Sequence, residues 1–258
     1  MATPKPKLRW SQFGLRTLLI VVTLAAILCS RLAVKTERIK RERETAAEIE
    51  KSGGKVHWVF SPPSGSAWLQ SLRSMVDNDD VSGHVIHVFL DGTEATDADL
   101  EHLNELPRLE LLWLHQTKIT DAGLERLKGL RRLDDLSLSA TQVTNSGLEH
   151  LRGLKKLQYL HLGHTQVTDA GLEHLKELSQ LQIVFLPGTR ITDGGLEHLK
   201  GLTQLRSLNF SGTQITDAGL RHLEGLTRLT RLDLMDTKVT NEGVKKLQQA
   251  LPNCEILH

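Results

Sequence analysis

The chain has 258 residues, of which 39% are hydrophobic but only 4% aromatic, and its 32 Lys and Arg balance 31 Asp and Glu to a formal net charge of +1. Many small, repeated apolar positions suit that composition better than one aromatic-centred core. The missing basic excess excludes a phosphate-binding surface, so no nucleic-acid partner is expected, and two cysteines, Cys29 and Cys254, supply no disulfide framework.

Residues 1–34 read as a basic segment followed by a hydrophobic helix. The first 30 residues contain no acid, and Lys5, Lys7, Arg9 and Arg16 precede the apolar run Thr17 to Ser30, the layout of an export signal. The run is shorter than a bilayer-spanning helix, but Phe13 to Val34 supplies the length if Arg16 and Arg31 snorkel outward. The stretch Ile27 to Arg31 lacks the small residues at alternate positions that suit cleavage, and Leu28 before Cys29 argues against lipid attachment. An uncleaved single-pass signal anchor is therefore expected, with a cleaved signal as the alternative. Counting basic residues on both sides would keep the remainder in the cytoplasm, but long domains translocate regardless of such charges; the expected location of the remainder is the extracytoplasmic side of a membrane.

Residues 35–54 follow as a charged stalk. Glu37 lies four residues before Arg41, a helix-supporting spacing on a solvated surface, and Ser52-Gly53-Gly54 ends the helix. Residues 55–80 read as an N-terminal cap for what comes next. Lys55 to Phe60 has the look of a short strand, Ser61 to Ser66 of a loop, and Ala67 to Val76 carries Trp68, Leu69, Leu72, Met75 and Val76 at helical spacing. Such a segment shields the apolar end of a repeat stack.

Residues 81–258 are repetitive. Units of 24 residues begin at Pro107, Arg131, Lys155, Ser179, Thr203 and Thr227, preceded by a divergent copy at 85–103 and followed by the start of another at Pro252. In the third unit Leu157, Leu160 and Leu162 end in a two-residue alternation, which makes a short strand; Val167, Leu172, Leu175 and Leu178 then switch to helical spacing. Thr168-Asp169 provides the helix start by offering oxygens to orphan N–H groups. One unit buries too little apolar surface to offset its own ordering entropy, so stability must reside in stacking on neighbours.

This alternation, with Val167-Thr168-Asp169-Ala170-Gly171-Leu172 and its counterparts, resembles the leucine-rich repeat family, in particular the I-T-D-x-G-L subclass found beside F-box motifs, as it occurs in short bacterial membrane-anchored repeat proteins. Cysteine follows the strand in that subclass, whereas Thr117, Thr141, Thr165, Thr189, Thr213 and Thr237 occupy the position here, and no F-box segment is present. The resemblance implies an α/β solenoid, a horseshoe with a parallel sheet on the concave face and helices on the convex face. The six threonines are expected to form a ladder, each hydroxyl satisfying backbone groups of its own or an adjacent turn.

Strand residues between the leucines point to the concave face. These positions differ from unit to unit while the rest is nearly copied. They hold Phe89, Leu111, Trp113, His115, Tyr159, His161, Ile183 and Phe185, including three of the four aromatics within 107–251. Exposed aromatics are typical anchors of partner sites, so a protein partner is expected there. The alternative is a structural envelope component with no dedicated ligand on that face. Oligomeric state is not legible.

Other signals read as structural. His102, His150, His174, His198 and His222 recur one per helix, too far apart to converge on a tetrahedral ion. Asp135, Ser137 and His161 share an open face without a pocket to exclude water, and no phosphate loop, nucleophile elbow or zinc-protease helix occurs. No metal, cofactor or catalytic residue is assigned, and the chain is not read as an enzyme.

Overall fold

The computed structural model describes residues 15–60 and 83–258. The chain divides into two compact units, 1–41 and 42–258. Helix α1 spans Leu15–Lys51. In its part within the first unit, Arg41 pairs with Glu37 at 3.6 Å, both side chains more than half exposed. The expected helix at 67–76 and its preceding loop lie outside the described residues.

The membrane expectation is corrected here. No helix among the described residues is long and apolar enough to cross a membrane. The run from Thr17 to Ser30 holds 14 residues, about 21 Å of helix at ~1.5 Å per residue against a hydrocarbon core of ~30 Å. Beyond Arg31 the helix continues into Lys35, Glu37, Arg38, Lys40 and Arg41 rather than into further apolar sequence. The single-pass anchor, the membrane as a partner through that helix, and the extracytoplasmic membrane location fall together.

The second unit is organised by one nine-stranded sheet in strict sequence order. Its strands are β1 (Lys55–Phe60), β2 (Gly83–Phe89), β3 (Leu111–Trp113), β4 (Asp135–Ser137), β5 (Tyr159–His161), β6 (Ile183–Phe185), β7 (Ser207–Asn209), β8 (Arg231–Asp233) and β9 (Glu255–Leu257). β1 runs antiparallel to β2, with an irregularity between His57 and Trp58, and every later pair is parallel. Parallel neighbours need a crossover, which here is the remainder of each 24-residue unit. The register steps by one unit at every pair: Val88, Leu112, Leu136, Leu160, Val184 and Leu208 are successive partners, and all are fully buried. Past each strand the ladder continues in the loop, for example from Leu162 N to Phe185 O at 2.8 Å.

The crossovers are less helical than their apolar spacing suggests. Asp169–Leu172 is a single α-helical turn that tightens into a 3-10 turn at Glu173–Leu175, and only the last crossover, Asn241–Ala250, reaches 10 residues. The strand-to-helix turn explains part of this economy. Gly92, Gln116, Ala140, His164, Gly188, Gly212 and Asp236 each follow the strand at the same point, and all have φ between 54° and 67°. That left-handed residue reverses the chain at once, and the next residue is the threonine. Thr117, Thr141, Thr165, Thr189, Thr213 and Thr237 each donate a hydroxyl to the carbonyl three residues back at 2.6–2.7 Å. The first five are buried, so at Thr117, Thr141, Thr165 and Thr189 an apolar substitute would strand that carbonyl, whereas Phe210 O also accepts Thr213 N at 3.1 Å.

A second set of contacts joins consecutive units. Asp97, Asp121, Asp169, Asp193 and Asp217 each reach one unit forward: Oδ1 accepts the backbone N–H of Thr120, Thr144, Thr192, Thr216 or Thr240 at 2.7–2.8 Å, and Oδ2 accepts that threonine's hydroxyl at 2.5–2.7 Å. Those threonines also cap their own helical turns, as Thr216 does by accepting from Ala218 N at 3.2 Å. At Asn145 the carboxylate is replaced by an amide, which accepts from Thr168 N and donates to Thr168 Oγ1; Thr168 makes no cap bond. The same tie explains the glycine in the first helical turn of the following unit, Gly123, Gly147, Gly195, Gly219 or Gly243. A Cβ on Gly219 would overlap Asp193 Oδ1, and one on Gly195 would overlap Asp169 Oδ1. Thr, Asp and Gly of the repeated signature are thus one interlock between neighbours.

The start of the second unit includes the end of α1. Ala46 and Ile49 are buried in the common core, and Glu42, fully buried, holds the Nδ1 of buried His84 at 3.0 Å. Lys35–Lys51 is therefore not a uniformly solvated stalk; its last turns pack on the first repeat. Gly53, at φ 88°, ends the helix and turns the chain into β1.

The interlock predicts non-additive mutations. Asp193→Ala should cost about 1–3 kcal/mol in urea unfolding by removing two hydrogen bonds to a carboxylate. Gly219→Ala should destabilise the native chain and cost less with Asp193→Ala, where the Oδ1 and Cγ overlaps are gone and only the residue-193 Cα, 3.1 Å from the new methyl, still crowds it; additive effects in this double-mutant cycle would contradict the tie. Relieving the left-handed alanine, Ala140→Gly should raise stability by up to about 1 kcal/mol, read from the unfolding midpoint. Thr240's hydroxyl and backbone N–H hold the Asp217 carboxyl below its ordinary value. Its contribution is therefore present above the unfolded pKa of about 3.9 and lost as pH falls through the lower folded value. An Asp217→Asn chain should accordingly lose less stability than the native one on acidification below about pH 4.

Candidate functional site: the open face of the sheet

Strand alternation sends Val88, Leu112, Leu136, Leu160 and Val184 into the core, so their neighbours on either side face outward. The register arranges the outward residues into two columns. One runs His87, Leu111, Asp135, Tyr159, Ile183, Ser207, Arg231; the other runs Phe89, Trp113, Ser137, His161, Phe185, Asn209, Asp233. Phe89, Leu111, Tyr159, His161, Ile183 and Phe185 are half-buried, Trp113 retains 36% of its surface and His115 is exposed. Seven of the eight sequence-derived positions therefore lie on one side of one sheet, His115 is exposed just past the end of β3, and none is inside the core. Phe210, the aromatic outside that set, takes a leucine's place in the core and is fully buried.

The rings form two groups. His57 from β1 approaches Phe89 at 5.1 Å between centroids, and Phe89 meets Trp113 edge to face at 5.3 Å and 89°. Farther along, His161 meets Phe185 at 4.9 Å and 77°. Such edge-to-face pairs order the rings, contributing about 0.5–1.5 kcal/mol each beyond their buried area. From β2 to β6 the face extends about 19 Å at ~4.8 Å per strand. His57 escaped the sequence reading because an antiparallel β1 was not foreseen; alternation in Lys55 to Phe60 was the available signal, placing Lys55 and His57 on the side opposite Val56 and Trp58.

Charge on this face is concentrated at β3 and β4. Trp113 Nε1 donates to Asp135 Oδ1 at 3.1 Å. Burial pushes the Asp135 carboxyl up, opposed by that hydrogen bond and by His161 and His87. Asp134 is also pushed up, first by burial and then by Glu110 and Asp135. Burial lowers His161, against the pull of Asp135. Asp91 is engaged by the backbone, its Oδ1 accepting His115 N at 2.8 Å.

Ser137 and His161 are register partners, but no hydrogen bond joins them and Asp135 is directed at Trp113, so the three do not assemble a nucleophile and its base. On the helical side Arg152 donates to His174 Nδ1 at 2.7 Å and Arg221 to His222 Nε2 at 3.4 Å. Among the described residues no group of three His, Cys, Asp or Glu is placed to hold a metal ion. Cys254 is buried and its thiol is pushed up to about 11, which suits a core side chain rather than a nucleophile.

Residues 153–178, 201–223 and 226–247 match the family model described as Leucine Rich repeat. No curated protein sequence is matched. Among solved structures, internalin C2 of Listeria monocytogenes is similar at a TM-score of 0.53 and 23% identity, covering 67% of this chain and 80% of that one. An internalin, inlF, of the same organism has a TM-score of 0.40 and 21% identity, covering 62% of this chain and 56% of that one. The family match at those residues, with the 24-residue register, the parallel ladder and the buried leucine columns, shows that the second unit is built of leucine-rich repeats.

Proposed function

We propose that this protein is a binding module that docks a protein partner on the open face of its sheet, the expected concave side of the solenoid, and that it works as a scaffold rather than a catalyst. One observation carries the reading: from β2 to β6 the outward strand positions include Phe89, Leu111, Trp113, Tyr159, Ile183 and Phe185 in neighbouring register, leaving aromatic and aliphatic surface partly facing water. Docking removes that surface from water, at about 25 cal/mol per Å² of apolar area. The rings are already ordered by their mutual contacts, so little rotamer entropy is lost when a partner covers them. The repeats are read as the I-T-D-x-G-L type, a reading supported by the interlock of Thr, Asp and Gly between units.

Affinity capture followed by cross-linking, with the native full chain and with Trp113→Ala/Tyr159→Ala/Phe185→Ala in parallel, tests the proposal. Anchor truncation costs about 1–2 kcal/mol per residue or more, so the variant should lose at least tenfold in affinity for its captured partner while keeping the native circular dichroism. An unchanged partner set in a folded triple variant removes the proposal.

A further inference from the structure

The face carries an unbalanced charge beside its largest ring. Glu110, Asp134 and Asp135 gather at the start of β3 and β4, and among the described residues no Lys or Arg pairs with any of them. From β2 to β6 the outward positions contain no Lys or Arg at all; Lys55 lies at the β1 edge beside Phe89, and Arg206 precedes β7. The imidazoles that act on these carboxylates are those of His87 and His161. Asp135 uses one oxygen to accept Trp113 Nε1, and its other oxygen accepts no hydrogen bond among the described residues. A carboxylate partly removed from water that holds an indole in place, with Asp134 next to it in sequence and Glu110 acting on Asp134, forms a receptor for a flat cation.

Resting on the docking reading above, we infer that the Trp113 patch receives an arginine side chain of a polypeptide partner, the guanidinium lying against the indole with Asp134 and Asp135 as its counter-charges. Arginine fits better than lysine because its planar fork can stack on a ring and bond a carboxylate in two places. Phosphate-bearing partners are repelled by the same carboxylates. The flanking Leu111 and Phe89 suit apolar residues on either side of the arginine. Burial raises both carboxyls, and Glu110 and Asp135 raise Asp134 further; an incoming cation offsets both effects.

The full chain labelled with 15N-tryptophan gives a direct readout, since the Trp113 indole N–H sits in the hydrogen bond to Asp135 and its resonance is assigned by Trp113→Phe. Three blocked pentapeptides, identical except for arginine, citrulline or glutamate between leucines, are titrated separately, and cellohexaose serves as a sugar probe. The arginine peptide should shift the Trp113 resonance and bind at least tenfold more tightly than the citrulline peptide. That preference should weaken with salt and vanish in Asp134→Asn/Asp135→Asn, whose amide oxygen can still accept the indole proton. Equal binding of arginine and citrulline peptides at Trp113 overturns the charge assignment while leaving a docking face in place. Cellohexaose binding without the arginine peptide assigns the rings to sugar stacking instead. No shift with any peptide overturns the inference outright.

Discussion

The 24-residue register is the constraint on which the structure depends. A single strand–turn–helix unit cannot bury its leucines, so each unit becomes stable only by lying against the next with like residues superposed. Two interactions hold that superposition. Backbone hydrogen bonds knit the strands in one direction, and the aspartate tie clamps the helical starts in the same step. The carboxylate satisfies a donor in its neighbour, and the adjacent glycine makes room for it. Shifting the register by one residue would lose the ties and turn the leucines out of the core.

Function follows as a by-product of that rigidity. Core and interlock positions are nearly the same in every unit, so they distinguish no part of the surface from another. The outward strand positions contribute little to stacking and are free to differ. Successive strands therefore present Phe89, Trp113, Ser137, His161 and Phe185 as a fixed row, with Leu111, Asp135, Tyr159 and Ile183 beside it. A rigid sheet positions those side chains more accurately than loops would, which suits recognition over a broad, shallow face.

Much of this was legible in the amino acids because a repeat makes each position visible several times. Leu157, Leu160 and Leu162 announce a strand, and their burial matches the spacing. The crossovers were harder. Apolar spacing from Val167 to Leu178 resembles a full helix, but one α turn running into a 3-10 turn presents the same leucines to the core in fewer residues. The aspartate tie was invisible to local reasoning because its partner lies 23 residues away; Asp169 read as a cap for its own helix and in fact serves Thr192. At the N-terminus the apolar run suggested a membrane helix, whereas α1 extends into charged sequence and ends by burying Glu42, Ala46 and Ile49. Charge alternation conceals such a face, since one buried carboxylate among many solvated ones looks the same in sequence.

Ring-proton cross-relaxation in the full chain tests the register and the open face together. Strong cross-peaks between Phe89 and Trp113 and between His161 and Phe185, with the Trp113 ring still accessible to a soluble paramagnetic probe, are the result expected from centroid separations of 5.3 Å and 4.9 Å. Absent cross-peaks, or a Trp113 ring protected from the probe as a core residue is, would contradict the account.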